Sequence, residues 1–260
     1  MSYLVYCIFG SEQCKQTQRV LGMGSQPISV VSHDGLSAAV SRVLPADVTP
    51  DVSRLLAYGN VVEAFHEDLT VIPLRYGCLF DKEHQIVRVL SERAEQWKTL
   101  LKELDGCVEM GIRSLPENEE GGVDDEEIRR SYGKPEVARA CNSGRAYLSA
   151  IKAHYARQER IAREDIAGLQ RCREALGGVS VKSKMDEPLC AWLPRVRVPI
   201  PSLYFLIRRS DVESFRQAFR EISSREPTGL LLSGPWPPYN FVEITRAGEA
   251  FSPAVQKLTE

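Results

Sequence analysis

Histidine is scarce in this 260-residue chain: there are four, at positions 33, 66, 84 and 154, none beside another. With so few imidazoles, a general base poised near neutral pH has few places to come from. Cysteine occurs seven times, at 7, 14, 78, 107, 141, 172 and 190, but never as a C-x-x-C pair. An odd count without that pairing speaks against a disulfide framework or a zinc ribbon and fits reduced thiols in a cytosol. Excess charge is missing too. A formal net charge of −2 gives no electrostatic reason to bind nucleic acid or an anionic membrane. The basic pairs Arg129-Arg130 and Arg208-Arg209 have acidic neighbours and read as solvated faces. No apolar run approaches membrane-spanning length. The opening Met1-Ser2-Tyr3-Leu4-Val5-Tyr6 carries no basic region, which predicts neither a signal peptide nor an anchor.

The motifs of catalysis are absent in the same way. Gly22-Met23-Gly24 lacks the third glycine and following helix of a dinucleotide site, and there is no Walker loop and no G-x-S-x-G elbow. Glu63 and His66 have the spacing that places a carboxylate and an imidazole on one helix face, but carboxylate-bridged metal sites need that motif twice. A solvated helix face is expected instead. Asp124-Asp125-Glu126-Glu127 lacks the alternating oxygen spacing and turn glycine of a calcium loop. Cys78 and Cys107 have no base nearby in sequence and read as inert buried thiols. No catalytic residue, cofactor or metal site is expected.

What is present is the composition of a soluble globular protein: 43% hydrophobic and 26% charged residues, with a mean hydropathy of −0.24. The length suits two small domains better than one large one. Tyr3 to Phe9 reads as a strand, and Ile28 to Ser32 with Leu36 to Val40 as a hairpin turning at His33-Asp34-Gly35. Glu12 to Leu21 is unpatterned. Val52, Leu55, Leu56, Val62, Phe65 and Leu69 form an apolar stripe that predicts a helix at about 50 to 67, with Pro50 in its first turn. Leu69 to Phe80 is extended and broken at Pro73, which suits an edge position or a bulge. Asp81 then caps one helix carrying Ile86, Leu90, Ala94, Trp97, Leu101 and Leu104.

The second half follows the same plan. Cys107 to Leu115 is its first strand, and the acidic, glycine-containing stretch 116–127 is a mobile loop with too little apolar surface to pack. Leu148, Ile151, Tyr155, Ile161, Ile166, Leu169 and Leu176 predict a long helix, 143–176, stopped by Gly177-Gly178 and long enough for part of it to project. Val179 to Lys182 and Trp192 to Ile200 are further extended candidates. Leu203 to Ile207 reads as a strand covered on both faces. Ser210-Asp211-Val212-Glu213 is a capping box opening a helix through Phe215, Phe219 and Ile222. Gly229 to Leu232 is a last strand. The expected fold is α+β, two β-α-β-β-α-β units, residues 1–104 and 105–245, with a tail over 246–260.

That last strand runs into Ser233-Gly234-Pro235-Trp236-Pro237-Pro238-Tyr239-Asn240-Phe241-Val242. Three prolines fix φ and restrict their neighbours, so Gly234 to Tyr239 is a stiff bend carrying two large aromatics. Trp236 and Tyr239 either close the core of their own domain or stand out as an anchor for a partner. This string, the Val71-Ile72-Pro73-Leu74-Arg75-Tyr76-Gly77 block, Tyr3-Leu4-Val5-Tyr6 with Gly35-Leu36-Ser37-Ala38-Ala39-Val40, Gly144-Arg145-Ala146-Tyr147-Leu148 and Tyr204 to Arg209 run in one order along nearly the whole chain. In this the sequence resembles the GvpL/GvpF family of gas vesicle proteins. It departs mildly: Tyr76 and Cys78 stand where the family often has Phe and Thr, and Asn240 where it often has Ser.

The resemblance implies two modified ferredoxin-like domains. It also implies a minor, non-enzymatic gas vesicle component in the cytoplasm, binding the small hydrophobic GvpA-type shell protein and other accessory proteins, and keeping the shell protein from aggregating while the vesicle nucleates. Neither nucleic acid nor lipid membrane is an expected partner. The expected contact residues are Trp236, Tyr239, Pro235, Pro237 and Pro238, with Arg75 and Tyr76 of the second block. The competing reading is a regulatory or small-ligand-binding protein on ferredoxin-like modules.

Overall fold

The computed structural model describes residues 1–13, 20–115, 164–186, 201–226 and 229–242. The acidic loop 116–127, the first part of the long helix, the Trp192 to Ile200 segment and the tail 246–260 lie outside the described residues. The fold is mixed α and β, with two antiparallel sheets.

The first sheet is built from β1 (Ser2–Gly10), β2 (Ser29–His33), β3 (Leu36–Val43), β4 (Val71–Pro73) and β5 (Leu79–Phe80). Its order is β2-β3-β1-β4, with β5 pairing the other end of β1. The β2–β3 hairpin turns through Asp34 and Gly35 at φ 50° and 78°, the two left-handed residues that a two-residue loop between twisted strands requires. β1 lies between neighbours and is buried along almost its whole length. A bulge between Val5 and Cys7 shifts its register against β3. The bulge lets Leu4, Tyr6, Cys7 and Phe9 all join one core.

That core is closed by α1 (Val52–Asp68) through Tyr58, Val61, Val62 and Phe65. Asp51 caps the helix, its Oδ1 accepting from the Arg54 N–H at 3.0 Å, so Pro50 precedes the cap and does not sit in the first turn. The expected stripe is only half right. Val52, Leu55 and Leu56 are exposed, while Tyr58 and His66, which carry polar groups, are buried.

The single helix expected to Leu104 is two, α2 (Glu83–Glu92) and α3 (Ala94–Leu104), broken at Arg93 with φ −118° and ψ 13°. The apolar positions keep one spacing, but α2 packs on β2, β3 and β5 and α3 on β4 and β1. A twisted sheet does not offer one straight groove to both. Nor does Asp81 cap α2. Its carboxylate accepts from Ser2 Oγ, while Gln85 Oε1 takes the Lys82 N–H at 3.0 Å.

The second sheet has the order β7-β8-β6-β9: β6 (Cys107–Ser114), β7 (Lys182–Asp186), β8 (Ser202–Arg208) and β9 (Leu230–Trp236). Two helices accompany it in sequence, α4 (164–176) and α5 (Val212–Ser223). α4 ends in a 3-10 turn at Gly177–Val179, so β7 begins three residues later than Val179. Ser210 does not form the expected capping box; its hydroxyl donates to Asp211, and Glu213 pairs with Arg216 at 2.7 Å. The last strand runs on to Trp236, past the point where the proline bend was expected to end it. An edge strand tolerates this, since Pro235 there removes no interior ladder bond.

The chain divides into two compact units. One holds Met1–Met110, Phe205–Val212 and Gly234–Glu260, and the other Gly111–Tyr204 and Glu213–Ser233.

Candidate partner-binding site

The aromatic corner follows β9 directly. Trp236 keeps 45% of its surface exposed and Tyr239 38%, while Pro237, Pro238 and Phe241 are buried. Pro235 is exposed, and the Gly234–Pro235 peptide is cis. Gly234 has φ 113°, and a Cβ there would stand 2.7 Å from the Glu109 carbonyl oxygen. Only glycine permits that approach. Tyr239 to Phe241 then make one 3-10 turn.

Beneath this turn lies Glu109, 4% exposed in the otherwise apolar β6 segment Cys107 to Met110. Its Oε2 accepts the Asn240 backbone N–H at 2.8 Å and its Oε1 accepts from Asn240 Nδ2 at 2.6 Å. A buried carboxylate is tolerable because it is held by charge-assisted hydrogen bonds. Tyr239 has its phenol pKa raised by burial first, and then by Cys7, Glu109 and Glu63. Its hydroxyl end is thus desolvated although the residue as a whole is more than one-third exposed.

Tyr58 links the corner to the second expected block. Its hydroxyl lies 3.0 Å from the Val5 and Leu74 carbonyls, 3.2 Å from that of Tyr6 and 3.3 Å from that of Arg75. One hydroxyl, with a single proton to donate, thus sits where the β1 bulge meets the chain leaving β4. Tyr58 stacks on Tyr6 with centroids 4.9 Å apart and meets Tyr76 edge-on at 5.3 Å. Burial, and after it Cys78 and Tyr239, raise its pKa well above the usual phenol value. Tyr76 is half-buried and donates to the Thr49 carbonyl at 2.9 Å, whereas the Arg75 residue is exposed.

The remaining candidates are structural. Glu63 is exposed and His66 buried, so they do not share a solvated face as expected. Neither ring nitrogen of His66 has a hydrogen-bond partner among the described residues. Burial, and then the Arg209 guanidinium, push its pKa down to about 4. Arg208 and Arg209 do more than face solvent: they donate to the Asp105 carbonyl at 3.0 Å and the His66 carbonyl at 2.7 Å. The latter neutralises the C-terminal end of α1. Burial pushes the Cys78 thiol up to about 12 and raises that of Cys107, so neither is readily a thiolate. Among the described residues no three His, Cys, Asp or Glu side chains gather as a metal site, and no helix is long and apolar enough to cross a membrane.

Glu109 is the residue that sequence reasoning missed. Its signal was there: a lone carboxylate inside Cys-Val-Glu-Met-Gly-Ile has to be paired or it would not be buried.

Two antiparallel sheets, the second running into a glycine-proline corner from which Trp236 and Tyr239 reach solvent, define a mixed α and β protein without a gathered catalytic or metal cluster among the described residues. The sequence model of the gas vesicle synthesis protein GvpL/GvpF family matches residues 2–243, and the chain belongs to that family. Among its relatives is gas vesicle protein F of Streptomyces sp. (strain CB03234), 27% identical over 254 residues, 94% of this chain and all of the relative. Gas vesicle protein F2 of Halobacterium salinarum is 24% identical, over 85% of this chain and 82% of its own length. The crystal structure of GvpF from Anabaena sp. PCC7120 is similar in fold, with a TM-score of 0.65 at 18% identity, covering 94% of this chain and 97% of that one. GvpF from Microcystis aeruginosa gives 0.64 at 17% identity, covering 92% and 98%. Membership carries an accessory role in gas vesicle formation.

Proposed function

We propose that this protein is a non-enzymatic minor component of the gas vesicle that works in the cytoplasm, binding the small hydrophobic shell protein of GvpA type and limiting its aggregation during nucleation and assembly. The observation that carries the reading is the 45% exposure of Trp236 on a bend whose next two residues, Pro237 and Pro238, are buried. A shell protein that must wall gas on one face exposes apolar surface before assembly, and such patches self-associate. A rigid aromatic anchor covers such a patch at low ordering cost. Trp236 and Tyr239 make that contact and Pro235, Pro237 and Pro238 hold them, with Arg75 and Tyr76 contributing from the turn after β4. The backbone of the short edge around Pro73 to Phe80 offers a second way to meet a strand-rich partner.

The same reading treats the chain as two modified ferredoxin-like domains, 1–104 and 105–245. Its support is that β2-β3-β1-β4 and β7-β8-β6-β9 share one order, hairpin, first strand, last strand. In the first, the connection between β1 and β2 holds two 3-10 turns among the described residues, Ser11–Gln13 and Met23–Ser25, which is one way it is modified.

Co-expression tests the role. The shell protein alone is expected in the insoluble fraction, and together with this chain it is expected to shift to the soluble fraction and co-purify. No shift and no co-purification would overturn the proposal.

A further inference from the structure

We propose that Glu109 is the positioning residue of the aromatic corner: its buried carboxylate, gripping Asn240 through two hydrogen bonds, fixes the direction in which Trp236 and Tyr239 are presented to the partner. This rests on the partner-binding reading of the corner.

Three observations meet at one residue. Glu109 lies on β6, which is flanked by β8 and β9, so its backbone is anchored on both sides. Its carbonyl oxygen is what Gly234 approaches, at a distance that leaves no room for a side chain. Its carboxylate takes both the backbone N–H and the side-chain amide of Asn240, at 2.8 and 2.6 Å. The carbonyl therefore sets where the bend begins and the carboxylate where it ends. Between those two points stand Pro235, Trp236, Pro237, Pro238 and Tyr239.

Two donors converge on the group, so both of its oxygens accept. A glutamine in its place keeps both bonds by letting the Asn240 amide turn over and accept from it, whereas an aspartate at 240 would set a second carboxylate against the first. A carboxylate in an apolar strand is a costly way to fill space unless it holds something in register. Asn240 is the complementary choice, because a residue with only a hydroxyl could supply one backbone and one short side-chain donor but not this reach. Glu109 does this without touching the partner.

The experiment compares wild type with Asn240→Asp, Asn240→Ala, the reversed pair Glu109→Gln with Asn240→Asp, and Trp236→Ala, each as the full chain. Hydrogen exchange of peptides covering 234–242 reads the corner itself, and co-purification of the shell protein reads binding. Asn240→Asp is expected to speed exchange there by about tenfold or more, since it removes the side-chain donor and sets a second carboxylate against the buried one, and to cut retention of the partner as far as Trp236→Ala does. The reversed pair restores both, because the introduced glutamine then donates its amide to the introduced aspartate and accepts from the backbone N–H at position 240. Asn240→Ala, a partly exposed position, gives the same direction of change if the Asp variant does not fold.

Unchanged exchange in Asn240→Asp, or in Asn240→Ala should the former be insoluble, overturns the inference whatever the partner does. Faster exchange with full partner retention overturns it as well. Retention by Trp236→Ala would instead sink the corner as a binding surface, and the exchange data would still say whether Glu109 holds it.

Discussion

Tyr58 does at the scale of one atom what a strand would otherwise do with several residues. Where β1 bulges and β4 ends, the Tyr58 hydroxyl stands within 3.3 Å of the Val5, Tyr6, Leu74 and Arg75 carbonyls, of which that of Tyr6 also accepts the Leu74 N–H at 2.9 Å. Removing the hydroxyl alone, in Tyr58→Phe, deprives the buried Val5 and Leu74 carbonyls of that donor. The expected loss is about 1–2 kcal/mol, read as a thermal midpoint lowered by a few degrees; an unchanged midpoint contradicts the role. His66 makes a prediction of opposite character. Its folded pKa, near 4, lies below its ordinary value of 6.5. Between those values the unfolded chain binds a proton that the folded chain refuses. Stability is thus complete above the ordinary value and declines as pH falls toward 4, by up to about 3 kcal/mol from this group. His66→Phe is expected to flatten that part of the stability-versus-pH curve, and an identical slope would contradict it. Gly234→Ala places a Cβ 2.7 Å from the Glu109 carbonyl at φ 113° and is expected to destabilise by on the order of 2 kcal/mol or more, measured by chemical denaturation.

At the scale of elements, α1 buries its middle and its C-terminal half and leaves its first turn open. Leu56→Ser should change stability by no more than roughly 0.5 kcal/mol, while Val62→Ala, at a fully buried position, should cost roughly 2 kcal/mol. Equal costs in a denaturant titration would show that the first turn is covered after all. The contrast also explains what the sequence disclosed. The β2–β3 hairpin was legible because Asp34-Gly35 carries its own turn geometry, and β8 because Leu203 to Ile207 is apolar at every position. The break at Arg93 was not, since no residue there breaks helices and the cause is the twist of a sheet assembled from distant segments. Nor was Tyr58, whose partners on β1 lie 53 and 52 residues away. Periodicity sees faces, and it cannot see a hydroxyl's destination.

For the whole molecule, the proline corner was visible as a motif but its setting was not. The turn that follows Trp236 is held through Glu109, which lies 131 residues before Asn240. Pairings of that range are made by the fold and leave only a lone buried acid as their trace. The edge strand β9 delivers the bend, Gly234 and Glu109 seat it, and on the proposed function the exposed aromatics are what a hydrophobic partner would meet. The most direct test is co-expression of the small shell protein with wild type and with folded Trp236→Ala, comparing the soluble, co-purifying fraction. Loss of an indole that fills a partner's apolar patch is expected to weaken binding by about 2 kcal/mol or more, a fall of some thirtyfold in affinity that should empty the co-purified fraction. Equal retention of the shell protein by both chains would contradict the claim that this corner is the binding surface.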